Sequence, residues 1–375
     1  MDTKKIINNK NKLSIGFVLD DTLDTTDGVQ QYVISLGNWF ANQGHNVHYL
    51  VGQTTRKDIE NVHSMAKNVK VRFNKNRLSI PLPSSKKQIK QKLKDLNLDV
   101  LHVQMPYSPL FAGRVIEAVE PNVNVIGTFH IVPASKLHSA SSMGLKYLNQ
   151  KTAKRFNKII CVSTAAGSFA KSAFGYDSVV IPNVVDTKKY FHKPVNHLVP
   201  TIVFLGRLVE RKGCKQLLDA LLVLQNTYQD KYKVIIAGTG PLKTELAMYA
   251  IKNNIKNVTF TGFVTEAEKP KLLAGADIAV FPSIGGESFG IVLIEAMAAG
   301  SRVVMGGNNV GYRTVLEDYP DLLIDPNDPI TFAARIQYYL EHPESRILAA
   351  KWASEYVQQF DVEHVGKQIL NLYRS

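Results

Sequence analysis

Short apolar runs alternate with stretches of helical apolar spacing along the whole chain, and this alternation restricts the fold class more than any other feature. Strand then helix, repeated, builds a parallel sheet covered by helices, because parallel neighbours need a crossover and the helices supply it. In the first half the candidate strands are Leu13–Leu19, Asn46–Val51, Val69–Phe73, Val100–Val103, Val123–Phe129, Lys158–Val162 and Val179–Ile181. In the second they are Thr201–Leu205, Lys233–Ala237, Val258–Thr261, Ile278–Phe281, Arg302–Met305 and Leu322–Ile324. Each half has strands enough for its own doubly wound sheet, and 375 residues exceed one ordinary core. The polar, proline-bounded stretch from Pro182 to Pro200 reads as the linker. Helical spacing returns in Ser345–Phe360 and Val362–Tyr373. A hydrophobic content of 45% and a charged content of 21% suit a soluble globular protein. The polar start of the chain lacks the apolar region of a signal peptide, and no run reaches the roughly 18 apolar residues of a membrane span. Neither Cys161, in a buried strand pattern, nor Cys214 has metal-site spacing, and two thiols make no disulfide framework, so a reducing cytoplasm is expected.

The chemistry concentrates in Gly285-Gly286-Glu287-Ser288-Phe289-Gly290-Ile291-Val292-Leu293-Ile294-Glu295-Ala296-Met297-Ala298-Ala299-Gly300. Ser288 can cap a helix here, and Gly300 can end it in a left-handed conformation. A helix apolar all round is buried, so Glu295 needs hydrogen-bond partners. Glu287 falls at the helix mouth, where free N–H groups favour anions such as phosphate. A rim carboxylate and an interior one suit a ligand bearing both phosphates and hydroxyls. The plain alternative is a buried helix with one satisfied Glu. Upstream, Thr201–Leu205 is followed by Gly206-Arg207-Leu208-Val209-Glu210-Arg211-Lys212-Gly213, whose spaced cations can balance a diphosphate or form a solvated basic loop. Gly238 and Gly240 come straight after another strand, as a tight turn or a close approach to a ligand requires.

In the first half, strand one leads into Asp20-Asp21-Thr22 and on to Asp27-Gly28-Val29-Gln30 at a helix start. Asp27 is a good N-cap, and Asp20-Asp21 reads as loop capping. His130 ends the strand pattern Val123–Phe129, which aims it at the carboxyl edge of the sheet, where doubly wound folds bind ligands. A net charge of +13 calls for an anionic partner. Part of it lies in the helical pattern Lys86 to Leu96, where Ile89, Leu93 and Leu96 share one face. There Lys87, Lys90 and Lys94 form a cationic stripe flanked by Lys86 and Lys92. The apolar loop Leu78-Ser79-Ile80-Pro81-Leu82-Pro83 precedes it, and the pair suits an anionic bilayer surface. An ordinary helix with a solvated lysine face is the other reading. A nucleic-acid binder is disfavoured, since aromatic residues are not interleaved with the lysines.

The E-x7-E run within Gly285–Gly300 closely resembles the signature of the family-4 retaining glycosyltransferases. The resemblance implies the GT-B fold: two facing Rossmann-like domains, a deep interdomain cleft, and a terminal helix that crosses back onto the first domain. It places an acceptor domain at 1–185 with the helix of about 360–375, a linker at 186–200 and a donor domain at 201–359. It puts Glu287 on sugar hydroxyls, Glu295 on the ribose, and Ser288, Phe289, Gly290 and Ile291 along the sugar and diphosphate. Arg207 and Lys212 match the family's G-R-L-x(3)-K-G and would stabilise the leaving diphosphate, making a metal unnecessary. Gly206 belongs to that motif, Gly238 to a G-x-G-P turn near the nucleotide, and Phe263 and Val264 to the segment beside the base. Gly28 matches the second glycine of a Gly-Gly pair near the diphosphate, while Asp27 replaces the first. His130 matches a histidine that contacts the transferred sugar or the acceptor, here as a positioning donor. Gln104 replaces the second His of D-V-I/L-H-x-H.

Gly28-Val29-Gln30, the basic helix, Thr128-Phe129-His130 and the E-x7-E run together look most like bacterial phosphatidylinositol mannosyltransferases, which are peripheral membrane enzymes that use GDP-mannose. The implied reaction is front-face transfer of a hexose from a nucleotide-diphospho-hexose, GDP-mannose or a UDP-hexose, to a lipid acceptor. It would occur at the cytoplasmic face of the membrane and need no cofactor. A diacylglycerol glucosyl- or galactosyltransferase, a transferase with a soluble acceptor, and a nucleotide-sugar sensor remain open alternatives, as does the oligomeric state.

Overall fold

The computed structural model describes residues 11–25, 27–73, 76–81, 85–132, 147, 149–193, 197–228 and 231–375. The chain forms two compact units. One takes the chain up to Val184 together with Val362–Ser375, and the other is Val185–Asp361.

The first unit carries β1 (Ser14–Leu19), β2 (Asn46–Val51), β3 (Val62–Ser64), β4 (Asn68–Phe73), β5 (Asn76–Pro81), β6 (Val100–Gln104), β7 (Asn124–Phe129), β8 (Lys158–Cys161) and β9 (Val179–Val180). Its main sheet has seven parallel strands in the order β3-β2-β1-β6-β7-β8-β9. Both faces are buried. Ile15, Phe17 and Leu19 point to one core with Tyr32, Leu36 and Phe40 of helix Gly28–Asn42. Val18 points to the other, with Ile89, Leu93, Val115 and Ile116. The terminal helix Val362–Arg374 adds Val365, Ile369 and Tyr373 to the first core.

Two expectations are corrected here. The slot beside β2 is filled by the three-residue β3, so Asn68–Phe73 stands outside the main sheet and pairs antiparallel with β5. Asn76–Pro81 is therefore a strand, not an apolar loop, because β4 offers it a hydrogen-bonding edge. Leu82 and Pro83 lie outside the described residues.

The second unit carries β10 (Thr201–Leu205), β11 (Lys233–Ala237), β12 (Val258–Gly262), β13 (Ile278–Phe281), β14 (Val303–Gly307) and β15 (Leu323–Ile324). They form one parallel sheet in the order β12-β11-β10-β13-β14-β15. In each sheet the winding reverses between two adjacent strands, β1 and β6 in the first and β10 and β13 in the second. Ligands of open α/β sheets bind outside the carboxyl ends of such strands. The loops after β1, β10 and β13 are the ones that hold Asp20–Gly28, Gly206–Gly213 and Pro282–Gly290. No helix among the described residues is long and apolar enough to cross a membrane.

Candidate active site

In the second unit the loops after β10 and β13 interlock. The first runs into a 3-10 turn, Glu210–Lys212, which ends at Gly213 with φ of 73°. A Cβ on Gly213 would lie 1.8 Å from the carbonyl oxygen of Pro282, so glycine lets the loops close on each other. The Arg211 carbonyl then accepts from Ile284 N at 2.9 Å and from Ser283 Oγ at 2.9 Å.

This interlock fixes Glu287, whose side chain is 12% exposed. Its Oε1 accepts from Arg211 Nη1 at 2.7 Å, Lys212 Nζ at 2.8 Å and Ser283 Oγ at 2.8 Å. Among the described residues, the hydrogen bonds to Glu287 all fall on Oε1. Burial alone would push this carboxyl up, but Lys212 and then Arg211 outweigh it and hold it below the ordinary carboxylate range. Glu287 is thus an ionised acceptor tied through one oxygen, with acceptor capacity remaining on the other. Arg207 lies exposed on the same loop.

The helix begins later than its sequence implies. It spans Ile291–Ala299 with Gly290 as N-cap at φ of 113°, and no side chain caps it. Ser288 is therefore in the preceding loop, because the chain makes its left-handed turn at Gly290. Gly300 ends the helix at φ of 92°, as expected. Phe289 is buried edge-on against Phe360 with ring centroids 5.5 Å apart. Ile291 is half-buried in the first turn.

Glu295 is buried one turn further in. Its Oε1 accepts from Tyr190 Oη at 2.7 Å and Lys269 Nζ at 3.0 Å, and Lys269 also pairs with Glu266 at 2.9 Å. Burial pulls the Lys269 ammonium down, but Glu295 and Glu266 outweigh it and hold it above the usual lysine value. Burial, Glu295 and Glu266 all push the Tyr190 hydroxyl up. Both carboxylates of the E-x7-E run are therefore held through one oxygen, Glu287 by two cations and a hydroxyl and Glu295 by one of each.

The glycine at 238 has a protein cause. Its φ is 140°, and a Cβ there would meet the Gly206 carbonyl oxygen at 1.8 Å, so the two loops need the close approach whether or not a ligand does. Phe263 presents an exposed ring after β12, with Val264 half-buried beside it.

In the first unit, Gly28 and Val29 open the helix Gly28–Asn42, with Asp27 at the N-cap position but no capping bond from its side chain. Gln30 is buried, and its Nε2 donates to Thr22 O at 3.1 Å and Asp21 Oδ2 at 3.4 Å. It is spent on holding the loop. Asp20 accepts from Ser108 Oγ and from Ala112 N at the start of helix Phe111–Ala118, whereas Asp21 Oδ1 accepts from Thr22 N within its own loop, the capping expected of the pair. Burial pushes both Asp20 and Asp21 up to about 6.

His130 follows β7 and is buried, with Nε2 at 2.7 Å from Gln104 Oε1. Burial pushes it down to about 3, so the ring is neutral at physiological pH. With the amide so placed, Nε2 carries the proton and Nδ1 keeps its lone pair. Nε2 of His130 is therefore engaged with Gln104. Gln104 is its direct partner, and Gln104 Nε2 is buried with no hydrogen-bond partner among the described residues. Met105, next along the chain, has φ of 58°, a conformation that side-chain-bearing residues rarely adopt.

The basic helix is Lys86–Leu96, and it buries Ile89 and Leu93. Lys87, Lys90 and Lys94 are exposed. The flanking pair behaves differently: Lys86 bonds Glu117 at 2.8 Å, and Lys92 is half-buried near His48 and His63.

Arg211, Ser283, Tyr190, Lys269 and Glu266 were not singled out in the sequence. Tyr190 lies in the stretch read as linker, where Thr187–Tyr190 is a helical turn. A buried Glu295 signals that partners exist, but spacing gives no hint of which ones.

The family described as Glycosyltransferase Family 4 matches residues 26–189, and that described as Glycosyl transferases group 1 matches residues 186–355. The phosphatidyl-myo-inositol mannosyltransferase of Mycolicibacterium smegmatis is 31% identical over 371 residues, covering 97% of this chain and 94% of that one. The protein of the same name from Mycobacterium leprae is 29% identical, covering 97% of each. Among solved structures, a glycosyltransferase from Rickettsia africae ESF-5 superposes with a TM-score of 0.76 at 20% identity, covering 98% of both chains. Anabaena HepE in complex with UDP-glucose gives 0.75 at 19% identity, covering 96% of this chain and 98% of that one.

Proposed function

The chain belongs to glycosyltransferase family 4, and from that premise we propose that it moves mannose from GDP-mannose to phosphatidylinositol at the cytoplasmic face of a membrane, with retention of configuration. The observation that carries the catalytic part is Glu287, held through Oε1 by two cations and a hydroxyl with its second oxygen left over. In this reading Oε2 accepts from a hydroxyl of the transferred sugar. Glu295 grips the ribose through the oxygen that Tyr190 and Lys269 leave unused. The turn at Ser288, Phe289 and Gly290 offers amides to the diphosphate. Arg207 and Lys212 balance the charge that grows on the leaving diphosphate, and they act in the transition state more than in the ground state.

The acceptor hydroxyl attacks on the face from which the diphosphate departs, and the leaving phosphate oxygen takes its proton. Lipid as acceptor is supported by the likeness to phosphatidyl-myo-inositol mannosyltransferases and by the exposed stripe of Lys87, Lys90 and Lys94. Gly28, Val29 and His130 would line the acceptor side. Glu287→Ala, Arg207→Ala and Lys212→Ala should each lower turnover by about two orders of magnitude, the scale of losing one transition-state hydrogen bond. Near-normal turnover in all three would mean that the site lies elsewhere.

A further inference from the structure

Two cations on one carboxylate oxygen raise the question of what happens when the donor arrives. Lys212 and Arg211 both reach Glu287 Oε1, at 2.8 and 2.7 Å. Under the donor-site reading, on which this inference rests, Lys212 also serves the diphosphate. It cannot hold both anions equally well, and the leaving diphosphate gains charge as the bond breaks. Arg211 is placed to remain. Its carbonyl is fastened to Ser283 and Ile284, in the loop that also carries Glu287, so the main chains that bear guanidinium and carboxylate are tied to each other.

We propose that Arg211 is a positioning residue, which keeps Glu287 fixed through Oε1 while Lys212 turns to the diphosphate, so that Oε2 stays aimed at the sugar hydroxyl. Arg211 acts through Glu287 and does not touch the donor. Without it, Glu287 has only Ser283 once Lys212 leaves.

The test uses the full chain with Arg211→Ala, Arg211→Lys and Arg211→Gln, each alone and in a Glu287→Gln background. Donor kinetics are read across pH, and nucleoside diphosphate affinity is read by calorimetry. A charge-assisted hydrogen bond of this kind is worth roughly 10- to 100-fold. The expected result is a loss of that size in kcat for Arg211→Ala, with donor KM and diphosphate affinity changed less than about twofold. The acid limb of the pH profile should move upward, because Glu287 loses a cation. Arg211→Lys should recover most of the rate, and no Arg211 change should matter once Glu287 is Gln. Unaltered diphosphate affinity also shows that the variants are folded.

A raised KM with weakened diphosphate affinity and an unmoved acid limb would overturn the proposal and make Arg211 a phosphate contact. An undiminished effect in the Glu287→Gln background would overturn it as well. Should Glu287→Gln alone retain wild-type turnover, the donor-site reading fails first. Should it be inactive while Arg211→Ala is normal, only the role of Arg211 fails.

Discussion

Lys269→Met strikes a buried ionic cluster of the second unit. Lys269 is 8% exposed, and its ammonium bridges Glu295, itself 4% exposed, and Glu266. Removing it leaves Glu295 as a buried carboxylate with, among the described residues, only the Tyr190 hydroxyl at 2.7 Å. Breaking a buried pair from one side costs about 3–5 kcal/mol, because the surviving charge is uncompensated. At about 1.4 kcal/mol per tenfold, that is roughly 10²- to 10⁴-fold in the opening equilibrium of the surrounding structure. Hydrogen exchange at the amides of Ile291–Ala299 reads this locally, without assuming that the whole chain unfolds in one step. Adding Glu295→Gln should return most of the loss, since Glu266 is more exposed and can hydrate. The pair would then be non-additive, as neighbours in one network are. Exchange accelerated less than about tenfold in Lys269→Met would refute the reasoning, as would a double variant no better than the single one.

The remaining predictions concern the surface and pH. Lys87→Gln, Lys90→Gln and Lys94→Gln together should weaken binding to phosphatidylinositol-containing vesicles about 100-fold at low salt, from roughly 1 kcal/mol per lysine; unchanged co-sedimentation would make the stripe merely solvated. His102 and His130 are each pushed by burial to about 3, below the ordinary histidine value. Their folded forms bind fewer protons than the unfolded chain, so this contribution to stability is full above about pH 6.5 and is lost as pH falls toward about 3. Imidazole NMR signals that titrate near pH 6.5 in the folded protein would contradict both assignments.

What could be read from the sequence follows from what each element must bury. Parallel strands covered on both faces leave continuous apolar runs, so β1, β2, β10 and β13 stand out. β3 does not: it is three residues long and only half-buried, too short and too polar for periodicity. Asn68–Phe73 reads as a strand, but apolar content does not say which sheet a strand joins or in which direction. Both carboxylates were legible because Glu295 interrupts an apolar helix and Glu287 stands at its mouth. Their partners were not. Arg211 is 76 positions from Glu287 and Tyr190 is 105 from Glu295, and pairs so far apart in sequence leave no local pattern. Gln104 was legible only as a departure from the family pattern; its bond to His130 gives it a task.

The most direct measurement is transfer of labelled sugar from GDP-mannose, UDP-glucose and UDP-galactose to liposomes with and without phosphatidylinositol. Labelled lipid is expected from GDP-mannose, and only when phosphatidylinositol is present. Glucose or galactose appearing on diacylglycerol, or no lipid product from any of the three donors, would contradict it.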